Sequence, residues 1–260
     1  MLQIFSTAFQ ERFAYKIAFF LWRFRQLLAT IMSLSIWSIL FSAQDSLFSY
    51  SQQEMITYIF LVAVLQSVIL TSALHNLAAD VYSGKISILL LKPIALFSYL
   101  GIYEAADKAL NVLFILGEAV ILYFIFQPIL MLPSFWELLL FIAWMIAGIG
   151  IHFLITLLFG AIGFWSPDVW GAKFIFFMFI DFTAGKLFPL DILPQLVQQL
   201  IYLTPFPYLS YAQTQLFLGR FDSSQILIQS MALLFWLCTL TIATHVIWKK
   251  SLKEYSAAGQ

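Results

Sequence analysis

Residues 137–160 read ELLLFIAWMIAGIGIHFLITLLFG. Between the first and last of them the only ionisable side chain is that of His152. A helix needs about 20 mostly apolar residues to cross the hydrocarbon of a bilayer. Lipid offers no partners for backbone N–H and C=O groups, so a crossing segment is a helix or part of a closed barrel. Barrel strands would alternate in polarity over roughly ten residues, and this run is continuous. It therefore reads as a transmembrane helix. Five further stretches have the same character, at 26–44, 56–75, 109–128, 169–188 and 226–247. The one at 169–188 is the most interrupted, because Asp181 and Lys186 lie within it. The expected fold is an all-α membrane protein with six transmembrane helices, one domain over residues 1–260.

The composition agrees. The chain is 62% apolar, 18% aromatic and 10% charged, with a mean hydropathy of +0.93. Soluble domains carry roughly 25% charged residues, and a soluble protein could not hide this much apolar surface. Formal net charge is zero, so the charge balance points to no nucleic-acid partner. The single cysteine, Cys238, lies in an apolar run. That excludes an internal disulfide framework and a cysteine metal site, and Cys238 reads as a small buried hydrophobe.

The charges are unevenly spread. Arg12, Lys16, Arg23 and Arg25 precede the first span; Lys85, Lys92 and Lys108 follow the second; Lys173 starts the fifth; Lys249, Lys250 and Lys253 end the chain. The alternate side has Lys186 and Arg220, and none in 45–55 or 129–136. The positive-inside rule puts both termini in the cytoplasm. Residues 1–25 then read as an interfacial helix on the cytoplasmic face, arginines near lipid phosphates. Continuation of the first span with snorkelling arginines is the alternative. No cleavable signal peptide is expected, the charged region before the first span being too long. No internal repeat is evident, so an inverted-repeat carrier has no support.

The loop after the second span holds YSGKISILLLKPI at 82–94, preceded by His75, Asn76 and Asp80. Gly84 can end or bend a helix and Pro93 stops the next. Ile86, Leu89 and Leu90 can share a helical face. The segment is amphipathic and lies at the membrane surface, either as a plain connector or as a working part. Two other blocks accompany it. Residues 182–221 read FTAGKLFPLDILPQLVQQLIYLTPFPYLSYAQTQLFLGRF, and residues 248–259 read WKKSLKEYSAAG.

Together these three blocks resemble the motifs of ABC-2 type permeases, the membrane subunits of ATP-binding-cassette exporters, with Ala212 standing where that family often has proline. The resemblance implies a permease subunit in a bacterial inner membrane that moves a substrate with ATP hydrolysed elsewhere. It implies a coupling helix between spans two and three, formed by Tyr82, Gly84, Lys85, Ile86, Leu89, Leu90, Lys92 and Pro93, that docks on the ATPase subunit. It also implies an outer re-entrant or amphipathic helix between spans five and six, with Gly185, Phe188, Pro189, Pro194 and Pro205 as gate candidates. The partners implied are the ATPase subunit, a second permease half, identical or homologous, and membrane lipid. No cofactor is expected on this chain; ATP and Mg would bind the ATPase. The chain lacks a G-x-x-x-x-G-K-S/T loop, in keeping with an ATPase on another subunit.

Ionisable groups inside lipid are costly, and each is a functional candidate. Glu118 sits mid-span, and Asn111, Asp107 and Glu104 continue its stripe. The stripe reads either as a pathway lining or as interhelical hydrogen bonding with Glu118 protonated. Asp181 and Lys186 are five residues apart and can pair with each other or with another span. His152 reads as a hydrogen-bonded core histidine, and no metal-ligand spacing surrounds it. Ala143, Ala147 and Gly150 form a small-residue packing stripe. Gln195, Gln198 and Gln199 alternate with apolar residues in a short amphipathic helix after Pro194. Tyr202, Phe206, Tyr208 and Tyr211 suit the lipid–water interface. The rival readings are a proton-coupled secondary transporter using Glu118 or Asp181, and a membrane-embedded enzyme, for which the polar residues are too scattered.

Overall fold

The computed structural model describes residues 1–14, 16–43, 46–130, 133–166 and 168–255, with side chains described for all of these except 12–14, 16 and 254. The side chains of Arg12 and Lys16, and residues 256–259 of the tail motif, lie outside them.

Among the described residues, five helical segments are long and apolar enough to cross a membrane. They belong to α2 (Lys16–Leu40), α3 (Gln52–Ile69), α6 (Leu96–Phe126), α7 (Phe135–Ala161) and α11 (Ser223–Glu254). Three of them start with a capping box. Ser51 and Glu54 begin α3, Ser134 and Glu137 begin α7, and Asp222 and Gln225 begin α11. In each box two otherwise orphaned N–H groups find side-chain acceptors. All three boxes lie at the end of the bundle poor in Lys and Arg. A two-residue hairpin pair, β1 (Ser46–Leu47) with β2 (Tyr50–Ser51), precedes α3 there.

The helices do not keep the expected span boundaries. The first transmembrane segment starts at Ile17, not at 26, and a separate helix α1 (Leu2–Ala14) precedes it and packs on α6. Residues 17–25 thus continue the helix of the first candidate span, and Arg23 is buried and paired inside the bundle. Helix α6 starts at Leu96, well before 109. Glu104, Asp107 and Lys108 interrupt its hydropathy but are buried. Cys238, expected in the interior, is exposed on α11; an apolar run in lipid has apolar surroundings on every side, so hydropathy cannot tell core from lipid.

The stretch at 169–188 forms a short helix, α8 (Trp170–Thr183), of 14 residues. That is about 21 Å of helix, less than the roughly 30 Å of hydrocarbon. It stops where Gly185 takes φ +77°, a left-handed conformation that glycine adopts without strain. The chain then turns inside the bundle, and its carbonyls find side chains. Ser210 Oγ donates to the Ala184 carbonyl at 2.7 Å, Tyr58 Oη to that of Gly185 at 2.6 Å, and Trp37 Nε1 to that of Leu187 at 3.2 Å. Irregular backbone at membrane depth is tolerated only where protein satisfies it in this way.

Residues 185–222 form a cap of short elements, chiefly α9 (Gln195–Tyr202), a 3-10 turn at Phe206–Leu209 and α10 (Tyr211–Phe217). From Tyr211 to Leu216 every residue of α10 is buried. Gln66, about 21 Å along α3, donates to Ser210 at 3.1 Å, so the cap reaches deep between the helices.

Candidate functional site

The segment at 82–94 belongs to two short helices, α4 (Leu77–Tyr82) and α5 (Lys85–Leu90), joined at Ser83 and Gly84. Gly84 has φ +80°, which ends one helix and starts the next at an angle. One side of the pair is fixed to the basic end of the bundle. Leu77, Val81 and Ile86 share a core with Leu100, Leu157, Ala161 and Trp248. Gly160 and Gly163 on α7 and its 3-10 extension let α4 lie directly against them. A Cβ at Gly163 would fall on the backbone of Ala78, and one at Gly160 on the side chain of Leu77. The end of α11 closes the joint. Trp248 Nε1 donates to the Leu157 carbonyl at 2.9 Å, and Tyr255 Oη to that of Val81 at 3.0 Å.

This packing turns part of the expected docking segment inward. Ile86 is 1% exposed and Leu89 packs on the edge of the same core, so the 86/89 stripe is turned towards the chain's own interior. Leu90 and Tyr82 are exposed, as are Ile88 at 65% and Leu91 at 87%. The last two escaped the sequence reading, because an i, i+3 stripe identifies a buried face without saying what buries it. Lys85 pairs with Asp80 at 3.1 Å on the surface. Lys92 lies 4.4 Å from the centre of the Tyr99 ring, within the range of a cation–π contact. Pro93 is exposed.

The polar stripe of α6 faces protein. Glu118 meets Arg23 on α2 through two contacts, at 2.6 and 2.7 Å. Arg23 also donates to Ser67 Oγ and, at 3.4 Å, to Asn111 Oδ1. Asn111 Nδ2 donates to the backbone and side chain of Asp107 at 2.9 and 3.1 Å. Arg23, expected near lipid phosphates, is 2% exposed; a guanidinium inside lipid needs acceptors, and α3 and α6 supply them. Asp181 and Lys186 pair with each other at 2.6 Å. His152 is buried, yet neither ring nitrogen has a hydrogen-bond partner among the described residues, so the expected core hydrogen bond is missing. Of the small-residue stripe, Gly150 faces Leu237 on α11, with 3.2 Å left for a Cβ, while Ala143 is exposed. Among the described residues no group of three or more His, Cys, Asp or Glu could hold a metal.

A family model described as ABC-2 family transporter protein matches residues 27–259. The chain belongs to the ABC-2 transporter family. It is accordingly a multi-pass membrane protein and a permease component of an ABC transporter, a system whose ATPase lies on a separate subunit. No curated protein matches the chain. Arg23 and α1 precede the matched residues, whereas Glu118, Ser67 and Asn111 lie within them.

The cap of this ABC-2 protein is organised around Tyr50. Tyr50 Oη donates towards the Asp191 carboxylate at 2.9 and 3.0 Å and accepts from Gln215 Nε2 at 2.7 Å. Arg220 lies 3.6 Å from the centre of the Tyr50 ring. It also donates to the Ser49 carbonyl at 2.8 Å and approaches Asp191 and Glu54 at 3.5 and 3.4 Å. Burial pushes the Asp191 carboxyl above its usual range, the hydrogen bond from Tyr50 offsetting part of this. Burial also pushes the Tyr208 hydroxyl up to about 12.

The gate candidates are spread over the turn after α8 and the cap. Gly185 makes the turn after α8, and Phe188 meets the Phe182 ring edge-on at 5.3 Å. Pro189 leads into the 3-10 turn at Leu190–Ile192, Pro194 is the N-cap of α9, and Pro205 precedes the turn at Phe206–Leu209. Two of the four aromatics expected at the lipid–water interface are drawn inward instead, while Tyr202 and Phe206 are half-buried. Tyr208 and Tyr211 are buried, their hydroxyls bonded to Gln229 and Tyr202 at 2.8 and 3.1 Å. An interfacial tyrosine and a hydrogen-bonded buried one have the same composition.

Proposed function

We propose that this chain is one permease half of an exporter in a bacterial inner membrane. It has both termini in the cytoplasm and six crossings, the fifth made by α8 together with the start of the cap. ATP and Mg bind a separate ATPase subunit. Closure of the ATPase pair displaces the α4–α5 element, and access changes between this half and a second one, identical or homologous, surrounded by lipid. Gly185, Phe188, Pro189, Pro194 and Pro205 shape the outer gate.

The observation that carries this reading is the two-faced α4–α5 element. Its inner face is bolted to α6, α7 and α11, while Ile88 and Leu91 stand exposed beside Lys85 and Lys92. Exposed apolar side chains rimmed by charge are the form of a protein-docking surface. Glu118 and Asp181, the groups a proton-coupled carrier would use, are tied to Arg23 and Lys186, which favours the ATP-driven reading. The test is a mild-detergent pull-down of the chain from its native membrane with mass spectrometry of its companions. Recovery of an ABC ATPase subunit, with the permease present as two copies or beside a homologous chain, is expected. Isolation of the chain alone, in detergent and again in nanodiscs, would overturn the reading.

A further inference from the structure

Helix α3 ends at Ile69, and α4 starts at Leu77. The link between them is irregular, yet Thr71 and Leu74 are buried. The end of a helix leaves carbonyls without intrahelical partners, and a buried link adds N–H groups with none. One turn of α6 answers both needs. Lys108 Nζ donates to the carbonyls of Ile69, at 2.8 Å, and Thr71. Glu104, paired with Lys108 at 3.4 Å, accepts from Ala73 N at 3.0 Å and Ser72 Oγ at 2.9 Å. Lys173 on α8 donates to the His75 carbonyl at 2.6 Å. The cations hold the carbonyls of Ile69, Thr71 and His75, and the carboxylate holds two donors of the link.

We infer that Glu104 and Lys108 form a charged clip that makes the 70–76 link a rigid joint, so that displacement of the α4–α5 element passes into α3 instead of being absorbed between them. Buried charges in apolar surroundings have few alternative partners, and letting go of the backbone would leave both sides unsatisfied. A leucine or methionine at 108 would fill the space and leave the carbonyls bare. The two residues are positioning residues for transmission, and their role rests on the reading of α4–α5 as the element that meets the ATPase.

The test has two arms, on the full chain in nanodiscs. The first is amide hydrogen exchange. Lys108→Met and Glu104→Gln should each speed exchange across 70–76 at least tenfold and leave α7 and α11 unchanged, and Lys108→Arg should restore most of the protection. Unchanged exchange in the link, or a rise spread evenly over the bundle, would overturn the clip. The second arm uses the complex with the co-purified ATPase in a Cys238→Ser background. A fluorophore is attached at Ser83→Cys, on the bend of the element, or at Phe48→Cys, beyond the far end of α3. Mg-ATP with vanadate should change both signals. With Lys108→Met the signal at 83 should persist and that at 48 should fall at least tenfold. Retention of both would overturn the inference. A silent label at 83 in the otherwise unaltered complex would instead sink the docking reading and, with it, the transmission role, while the exchange arm still reports on the clip itself.

Discussion

Arg23 on α2 and Glu118 on α6 meet at 2.6 Å although 95 residues separate them in sequence. The pair, with Ser67 and Asn111, ties three crossing helices together in the apolar interior. Removing one partner of a buried pair strands the other, at about 3–5 kcal/mol, while replacing both with apolar residues of similar volume is often neutral. Arg23→Met and Glu118→Leu are therefore each expected to lower stability by that order, and the double variant to recover most of it. Denaturation of the purified variants in detergent checks this. Singles indistinguishable from the parent would show that the pair does not hold the helices.

The proposed docking surface gives a contrast within one short element. Ile88→Asp and Leu91→Asp should abolish co-purification of the ATPase and leave insertion and folding intact, because both side chains are already exposed. Ile86→Asp should fail to fold, since it buries an unpaired charge in the core shared with Trp248. Normal ATPase binding by the Leu91→Asp and Ile88→Asp double variant would remove this surface from the mechanism.

Gly163 offers a test of how closely α4 lies on α7. A methyl group there would meet the Ala78 backbone, which cannot swing away like a side chain tip. Gly163→Ala is expected to cost about 1–3 kcal/mol through overpacking and to loosen the contact of α4 with the end of α7. Limited proteolysis near Ser83 measures it, and unaltered resistance to cleavage would contradict the close approach.

The cap carries a pH dependence through Asp191. Burial raises its folded-state pKa above the unfolded one, so the folded state holds the proton more tightly. The contribution of this group is then fullest below the unfolded value, roughly 3.9, and is lost as pH rises through the folded value. Asp191→Asn should flatten that part of the stability profile of the cap, followed by tyrosine and tryptophan fluorescence on the acid side of neutrality. Coincident profiles for the parent and the variant would remove Asp191 as the titrating group.

Long apolar runs made the membrane class and most of the crossing helices legible, and three short motifs pointed to the family. Hydropathy failed where buried polar groups pair across the bundle. Arg23 looked interfacial, and Glu104, Asp107 and Lys108 fell outside the span expected at 109–128, because a window average counts each charge as exposed. The partner that makes it tolerable lies on another helix, and no local signal names it. The helical stripe at Ile86 and Leu89 was visible, but its partner proved to be Trp248 and Leu100, leaving Ile88 and Leu91 to face outward.

The sequence by itself therefore determined the solvent, the helical class and the approximate order of crossings. Those follow from the backbone's need for partners in lipid and from the length of apolar runs, both local quantities. Only the tertiary structure decided which charges are paired, where α8 stops and the cap turns back, and which face of the α4–α5 element is free. Each of these depends on distant residues meeting. The stop at Gly185 holds because Tyr58 and Ser210 arrive to satisfy its neighbouring carbonyls, and the link at 70–76 holds because Glu104 and Lys108 reach it from another helix.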